Sequence, residues 1–193
     1  MFNVVKVFLV VILVGGVSSC STTPVPSKSH YSICKVFKHD RDWKTESKSA
    51  YRKWGLPPWT QLAIVKQESS FRPKAKPPME YFLFIPTGRK SSSKGFSQAL
   101  DGTWAEYKRE TGNSWADRDD IGDSLDFIGW YAHKASTRAG ISKRDAYAIY
   151  LSYHEGIGGY QRGTYKKKPW LKKVARKVQK QAVQYMKEYE RCS

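Results

Sequence analysis

Apolar positions along the chain recur mostly at three- and four-residue steps, the period of a helix with one buried face, and glycines and prolines punctuate them. With Asp40 or Asp42 as its cap, the pattern predicts a first helix running to Trp54 and terminated by Gly55. Pro57 and Pro58 open the next helix. It carries Trp59, Leu62, Ala63, Ile64 and Val65, places Glu68 near its C-terminal end, and gives way to Phe71 and Pro73. Between Arg72 and Lys94 the helical period disappears, and the apolar run Tyr81-Phe82-Leu83-Phe84-Ile85 between prolines predicts a short strand or hairpin. Asp101 is expected to cap a helix through Trp104 and Tyr107 to Gly112, and Asp119 or Asp120 a longer one ending at Gly140. Ser142-x-x-Asp145 has the form of a capping box for a helix carrying Ala146 to Tyr153, closed by Gly156. Pro169 starts a last helix in which Leu171, Val174, Val178, Ala182, Tyr185, Met186 and Tyr189 make an apolar stripe opposite a strongly basic face. The expected fold class is mainly α, with a small extended or hairpin insertion near residues 73–94.

The beginning of the chain follows another rule. Val7 to Val14 is continuously apolar, Lys6 precedes it, and small residues lead to Cys20, a secretory signal pattern too short for a spanning helix. Val17-Ser18-Ser19-Cys20 resembles the lipobox of bacterial lipoproteins, with valine in place of the usual leucine. That resemblance implies cleavage after residue 19 and lipidation of Cys20. Ser21 in the following position implies an outer-membrane anchor on the periplasmic face. The Ser-, Thr- and Pro-rich stretch after it reads as a flexible tether. The expected organisation is a signal peptide over 1–19, lipidated cysteine and tether over 20–33, and one folded domain over 34–193.

Composition changes this picture in two ways. The formal charge of +17 becomes 17 − 1 = +16 once Lys6 leaves with the signal, so the mature body attracts polyanions. Nucleic acid would be the usual partner, but an exported protein meets cell-wall carboxylates and anionic head groups instead, and no nucleic-acid role is expected. Cys34 and Cys192 remain near the two ends of the mature chain in a compartment that permits disulfides, and their pairing is inferred. The four histidines show no metal-ligand spacing with cysteine or acid, and neither a phosphate-binding glycine loop nor a nucleophilic-serine motif is present. No metal or cofactor is expected, and the protein is expected to act as a monomer.

Glu68 is the residue best placed for chemistry. A carboxylic acid that follows an apolar helix, with Phe71 a turn away, is partly desolvated and can stay protonated near neutral pH, as cleavage of a glycosidic bond requires. Ile64-Val65-Lys66-Gln67-Glu68-Ser69-Ser70-Phe71 resembles the first motif of the soluble lytic transglycosylases, relatives of goose-type lysozyme. Gly95-Phe96-Ser97-Gln98-Ala99 is similar to that family's Gly-Leu-Met-Gln segment, and Asp101-Gly102-Thr103-Trp104 to the Pro-x-Thr after it. Ala148 to Gly156 looks like its Ala-Tyr-Asn-x-Gly motif, with Tyr153 on the tyrosine. The three motifs stand in the family's order within residues 56–165.

The resemblance implies a lysozyme-like α fold and action on peptidoglycan glycan strands. Glu68 would serve as acid and then base. Ser69, Gly95, Ser97, Gln98, Tyr153 and His154 would form the sugar site, with Tyr153 supporting Glu68 by a hydrogen bond. In that family the substrate's N-acetyl group steadies the developing cation, and the muramyl C6 hydroxyl closes a 1,6-anhydro ring without water. Ser97 and His154 replace the family's methionine and asparagine, a departure that suits a non-catalytic wall-binding lipoprotein as the rival reading. A lysozyme-type hydrolase would need a second acid, for which Glu80, Asp101 and Glu155 are the candidates. Trp59, Trp104, Trp115, Trp130 and Trp170 read as core beside a role in stacking on sugars, and the lysines of the 166–180 region as a solvated face beside contacts with wall or lipid.

Overall fold

A computed structural model of the protein describes residues 24–192. The helices are α1 (Ile33–His39), α2 (Asp42–Trp54), α3 (Pro58–Ser69), α4 (Asp101–Thr111), α5 (Ile121–Ala139), α6 (Ala146–Glu155), α7 (Ile157–Gln161) and α8 (Pro169–Tyr189). Two strands, β1 (Met79–Phe82) and β2 (Ile85–Arg89), form an antiparallel hairpin between α3 and α4, within the insertion expected at 73–94. The fold is thus mainly α, as the helical period implied, and agrees with the lysozyme-like domain that the resemblance implied.

α3 is the central element. Leu62, Ala63, Ile64 and Val65 are all buried, because the helix lies in the core with α8 along one side and α2 nearby. A helix with apolar residues around its whole circumference belongs in such an interior. α2 packs along α5, where Gly129 permits the close approach: a Cβ there would sit 2.7 Å from Trp54 Cδ1. Asp126 ties the same seam, accepting from Trp54 Nε1 at 2.7 Å and from the Tyr107 hydroxyl at 2.8 Å, with Lys53 at 3.0 Å. Lys134, almost fully covered, is neutralised by Glu106 and Glu110 at 2.6 and 2.8 Å.

Several boundaries differ from the expectation. α1 was not foreseen; Ser32 caps it through Lys35 N, and its seven residues are too few to display a period. Asp145, not Ser142, caps α6, accepting from Ala148 N, while Ser142 Oγ instead bonds Arg144 N in the preceding turn. The helix at 101 has Leu100 as its cap residue, and Asp101 occupies the first turn with no side-chain cap bond. Within the segment read as a flexible tether, 20–33, the described residues begin at 24; Val25 is 3% exposed and Ile33 is buried, while Pro26, Ser27, Lys28 and Tyr31 stay exposed. His30 Nε2 lies 2.7 Å from the Val25 carbonyl, and Tyr185 donates its hydroxyl to the His30 carbonyl, so long-range contacts hold a stretch that composition alone marks as loose. Cys34 and Cys192 form a disulfide that joins α1 to the end of α8. The expected signal peptide and the expected lipidation of Cys20 fall on residues outside the described ones. Among the described residues no helix is long and apolar enough to cross a membrane.

Candidate active site

The site begins where α3 stops. Ser70 and Phe71 both take left-handed backbone conformations, with φ of 51° and 57°, costing ~1–2 kcal/mol each for a residue with a Cβ. Burial of the Phe71 ring offsets that cost: it meets Trp43 edge-on at 5.1 Å and His30 at 5.1 Å, and Trp43 in turn meets Phe96 at 5.0 Å. This aromatic wedge ends the helix abruptly and fixes the orientation of its last turn. Glu68 sits in that turn, partly exposed.

Desolvation raises the Glu68 carboxyl to about 7, against a counteracting hydrogen bond from the Tyr150 hydroxyl. A protonated acid and a carboxylate are therefore both accessible at neutral pH. Tyr150 is itself buried, and the Glu68 charge helps to push its phenol far above its ordinary value. The Tyr153 phenol is likewise raised, by burial and by the Glu68 charge, so both tyrosines remain neutral donors.

Beside them lies a cleft of about 230 Å³ whose walls include Gln98, Thr103, Tyr131, Tyr153 and His154. Tyr153 spans the two features. Its hydroxyl donates to the Ser97 carbonyl at 2.6 Å and its ring packs edge-on against Tyr131, so α6 is clasped to the 95–99 loop. A wider hollow, about 790 Å³ around Arg52, Lys143 and Arg144, has no carboxylic acid in its lining.

The sequence-expected residues divide into two groups. Tyr153, His154 and Gln98 line the cleft, with the His154 ring edge-on to Trp170 at 5.1 Å. Ser69, Gly95 and Ser97 do not: all three are buried. Ser69 returns its hydroxyl to the Val65 carbonyl at 3.1 Å, extending its own helix. Gly95, at φ +77°, is glycine because a Cβ would run into the Arg118 carbonyl, which accepts from Phe96 N at 3.0 Å. Ser97 offers only its carbonyl, and that is taken by Tyr153; its Oγ has no partner among the described residues. Ser69 thus serves its helix, Gly95 and Ser97 serve the loop, and none of the three lines the cleft.

Gln98 is also more occupied than expected. Its Nε2 donates to the Ala75 and Gly95 carbonyls, each at 2.9 Å, and its Oε1 accepts from Ser93. The amide thus staples the hairpin's base to the 95–99 loop. The direct partner of Glu68 is Tyr150 and not Tyr153, since residues three apart on α6 share a face and the inner one reaches the acid. Sequence reading missed Tyr150; its place one helical turn before the motif tyrosine was the available signal.

The three candidate second acids are all spoken for. Glu80 pairs with Lys90 at 3.4 Å on the hairpin, and Asp101 with Arg118. Glu155 is buried, which by itself would raise it, but hydrogen bonds from Lys168, Thr164 and His154 lower it to about 2. Among the described residues no group of His, Cys, Asp or Glu is arranged to hold a metal.

A mainly α domain with one carboxylic acid held near neutrality at the end of its central helix, flanked by tyrosines and a cleft, is built for proton transfer to a bound substrate. The chain belongs to the transglycosylase SLT domain family, whose model matches residues 8–192. That family comprises lytic transglycosylases and acts on peptidoglycan. No curated protein matches the chain.

Proposed function

We propose that the protein cleaves the MurNAc–GlcNAc bond of peptidoglycan without water, with Glu68 as both acid and base. The observation that carries this reading is the placement of Glu68 in the last turn of the buried helix α3 with Tyr150 as its hydroxyl donor, where desolvation raises the carboxyl to about 7. Protonated Glu68 gives its proton to the glycosidic oxygen as the bond to the muramyl anomeric carbon breaks, and the GlcNAc side leaves as an alcohol. The substrate's N-acetyl oxygen steadies the cation at that carbon. Glu68, now a carboxylate steadied by Tyr150, takes the C6 hydroxyl proton as that oxygen attacks the same carbon, forming the 1,6-anhydro ring and restoring the acid. A single carboxyl serves both halves, which suits a site where Glu155 stays ionised and paired.

Tyr153 and His154 are assigned to the sugar cleft, while Gln98 and the carbonyl of Ser97 hold its wall. The enzyme is assigned to the cell envelope, anchored by lipid on Cys20 at the outer membrane. Digestion of purified sacculi with the protein, followed by mass spectrometry of the products, tests the reaction. Anhydro-muropeptides are expected. Reducing-end products would make the protein a hydrolase, and binding without product would make it a wall-binding lipoprotein.

A further inference from the structure

On the far side of α3 from Glu68 lies a second hollow, about 620 Å³, between α3, α8 and the segment preceding α1. Lys66 is its centre. On a helix, residues two apart point ~200° around the axis from one another, so Lys66 faces nearly opposite to Glu68. The two positions are separated by one helix width, ~10 Å.

This lysine lacks the partner that a half-buried ammonium normally has. No carboxylate pairs with it among the described residues; its Nζ donates to Gln181 Oε1 and sits 3.6 Å from the centre of the Tyr31 ring. Burial lowers it to about 8. Gln181 is 9% exposed, and its Nε2 has no acceptor among the described residues, a rare state for a buried amide. Lys177 and Lys180 stand at the rim, and no acidic residue lines the hollow. In addition, Gln67 offers a side-chain amide, Gln184 is held by donating its Nε2 to the Tyr31 carbonyl at 2.7 Å, and Ala63 and Val178 add apolar lining.

Three lysines with no acid among the lining residues, and the Gln67 amide beside apolar Ala63 and Val178, are complementary to a short peptide bearing carboxylates. A bare inorganic anion would leave most of the volume and the apolar lining unused. We infer that this hollow binds an acidic peptide, and, resting on the function proposed above, that its ligand is the carboxylate-bearing stem of peptidoglycan. Three extended residues span ~10 Å, and the route from a glycan on the Glu68 side runs round the end of α3 at exposed Ser70, which also lines the hollow. The site would thus read the stem while the opposite face of the same helix cuts the glycan.

The test is binding of the free tripeptide L-alanyl-γ-D-glutamyl-diaminopimelate to the full chain, followed by calorimetry. No glycosidic bond is present, so failure here is distinct from failure of cleavage. Lys66→Met is expected to weaken binding at least about tenfold, the range for losing a charged hydrogen bond. Lys177→Gln with Lys180→Gln, at rim positions where folding is not at stake, is expected to weaken it roughly two- to fivefold. The fully amidated tripeptide should not bind. Unchanged affinity in both variants, or equal binding of the amidated peptide, overturns the inference. So does displacement of the tripeptide by inorganic phosphate or by phosphatidylglycerol vesicles, which would make the hollow a phosphate or lipid site.

Discussion

Glu68 at the end of α3 and Glu155 at the end of α6 carry the same carboxyl group in opposite states. Both are drawn out of water, and the Glu155 side chain is only 3% exposed. Yet Glu68 rises to about 7 and Glu155 falls to about 2. The difference is the supply of donors. Glu68 receives one neutral hydroxyl, from Tyr150, whereas Glu155 receives the Lys168 ammonium at 2.8 Å, His154 Nδ1 at 3.1 Å and the Thr164 hydroxyl. Burial therefore raises a carboxyl only when charge-bearing partners are withheld, and a protein that needs one acid and one anion near the same cleft separates them by this means.

Exchanging the two roles breaks the comparison most strongly. Glu68→Gln removes the transferable proton and should lower the release of anhydro-muropeptides by about 10²–10⁴-fold, read by single-time-point mass spectrometry, with the circular dichroism spectrum unchanged. Glu155→Gln should leave the anhydro product as it is but destabilise the fold by about 1–3 kcal/mol, because Lys168 and His154 lose their anionic partner; thermal melting checks this, and a switch or loss of product type would contradict the assignment.

The two groups should also drive stability in opposite directions with pH. Glu68 holds its proton more tightly folded than unfolded, so between about 4.5 and 7 the unfolded chain releases a proton that the native one keeps. Stability falls across that window as pH rises, by about 1–3 kcal/mol after allowance for partial exposure, and this slope should vanish in Glu68→Gln. Glu155 does the reverse: its contribution is present above 4.5 and is lost as pH falls toward about 2. Denaturant melts of wild type and both variants across pH measure the two slopes separately.

The smallest effect sharpens the comparison. Tyr150→Phe removes the one donor that lowers Glu68, so the alkaline fall of kcat/KM, expected near pH 7 where the acid form is lost, should move upward by roughly half a unit to one unit. Tyr153→Phe, whose hydroxyl goes to Ser97, should not move it.

Much of the architecture was legible because it depends on short-range rules. Gly55, Gly112 and Gly140 do end their helices in left-handed conformations, Asp120 does cap α5, and Pro58 and Pro169 do open α3 and α8. The hairpin was visible as an interruption of the helical period. At the site, the motif positions were legible and their individual jobs were not. Ser69, Gly95 and Ser97 look like contact residues when aligned by pattern, but their side chains, or the lack of one, serve the backbone around them. α1, the packing of Val25 and the role of Tyr150 left no comparable mark, since each depends on a partner distant in sequence.

By itself the sequence determined where most helices start and stop, that the chain is strongly cationic, that Cys34 and Cys192 stand far apart along the chain, and that Glu68 stands at the end of an apolar helix. Local capping, periodicity and composition are properties of neighbours along the chain, and they are written there directly. Only the tertiary structure decided which carboxyl stays protonated, which tyrosine serves it, and which lysine is left without an anion. Charge state depends on desolvation and on hydrogen-bond partners brought onto α3, a donor from α6 and an acceptor from α8, and such distances exist only after the chain has closed on itself.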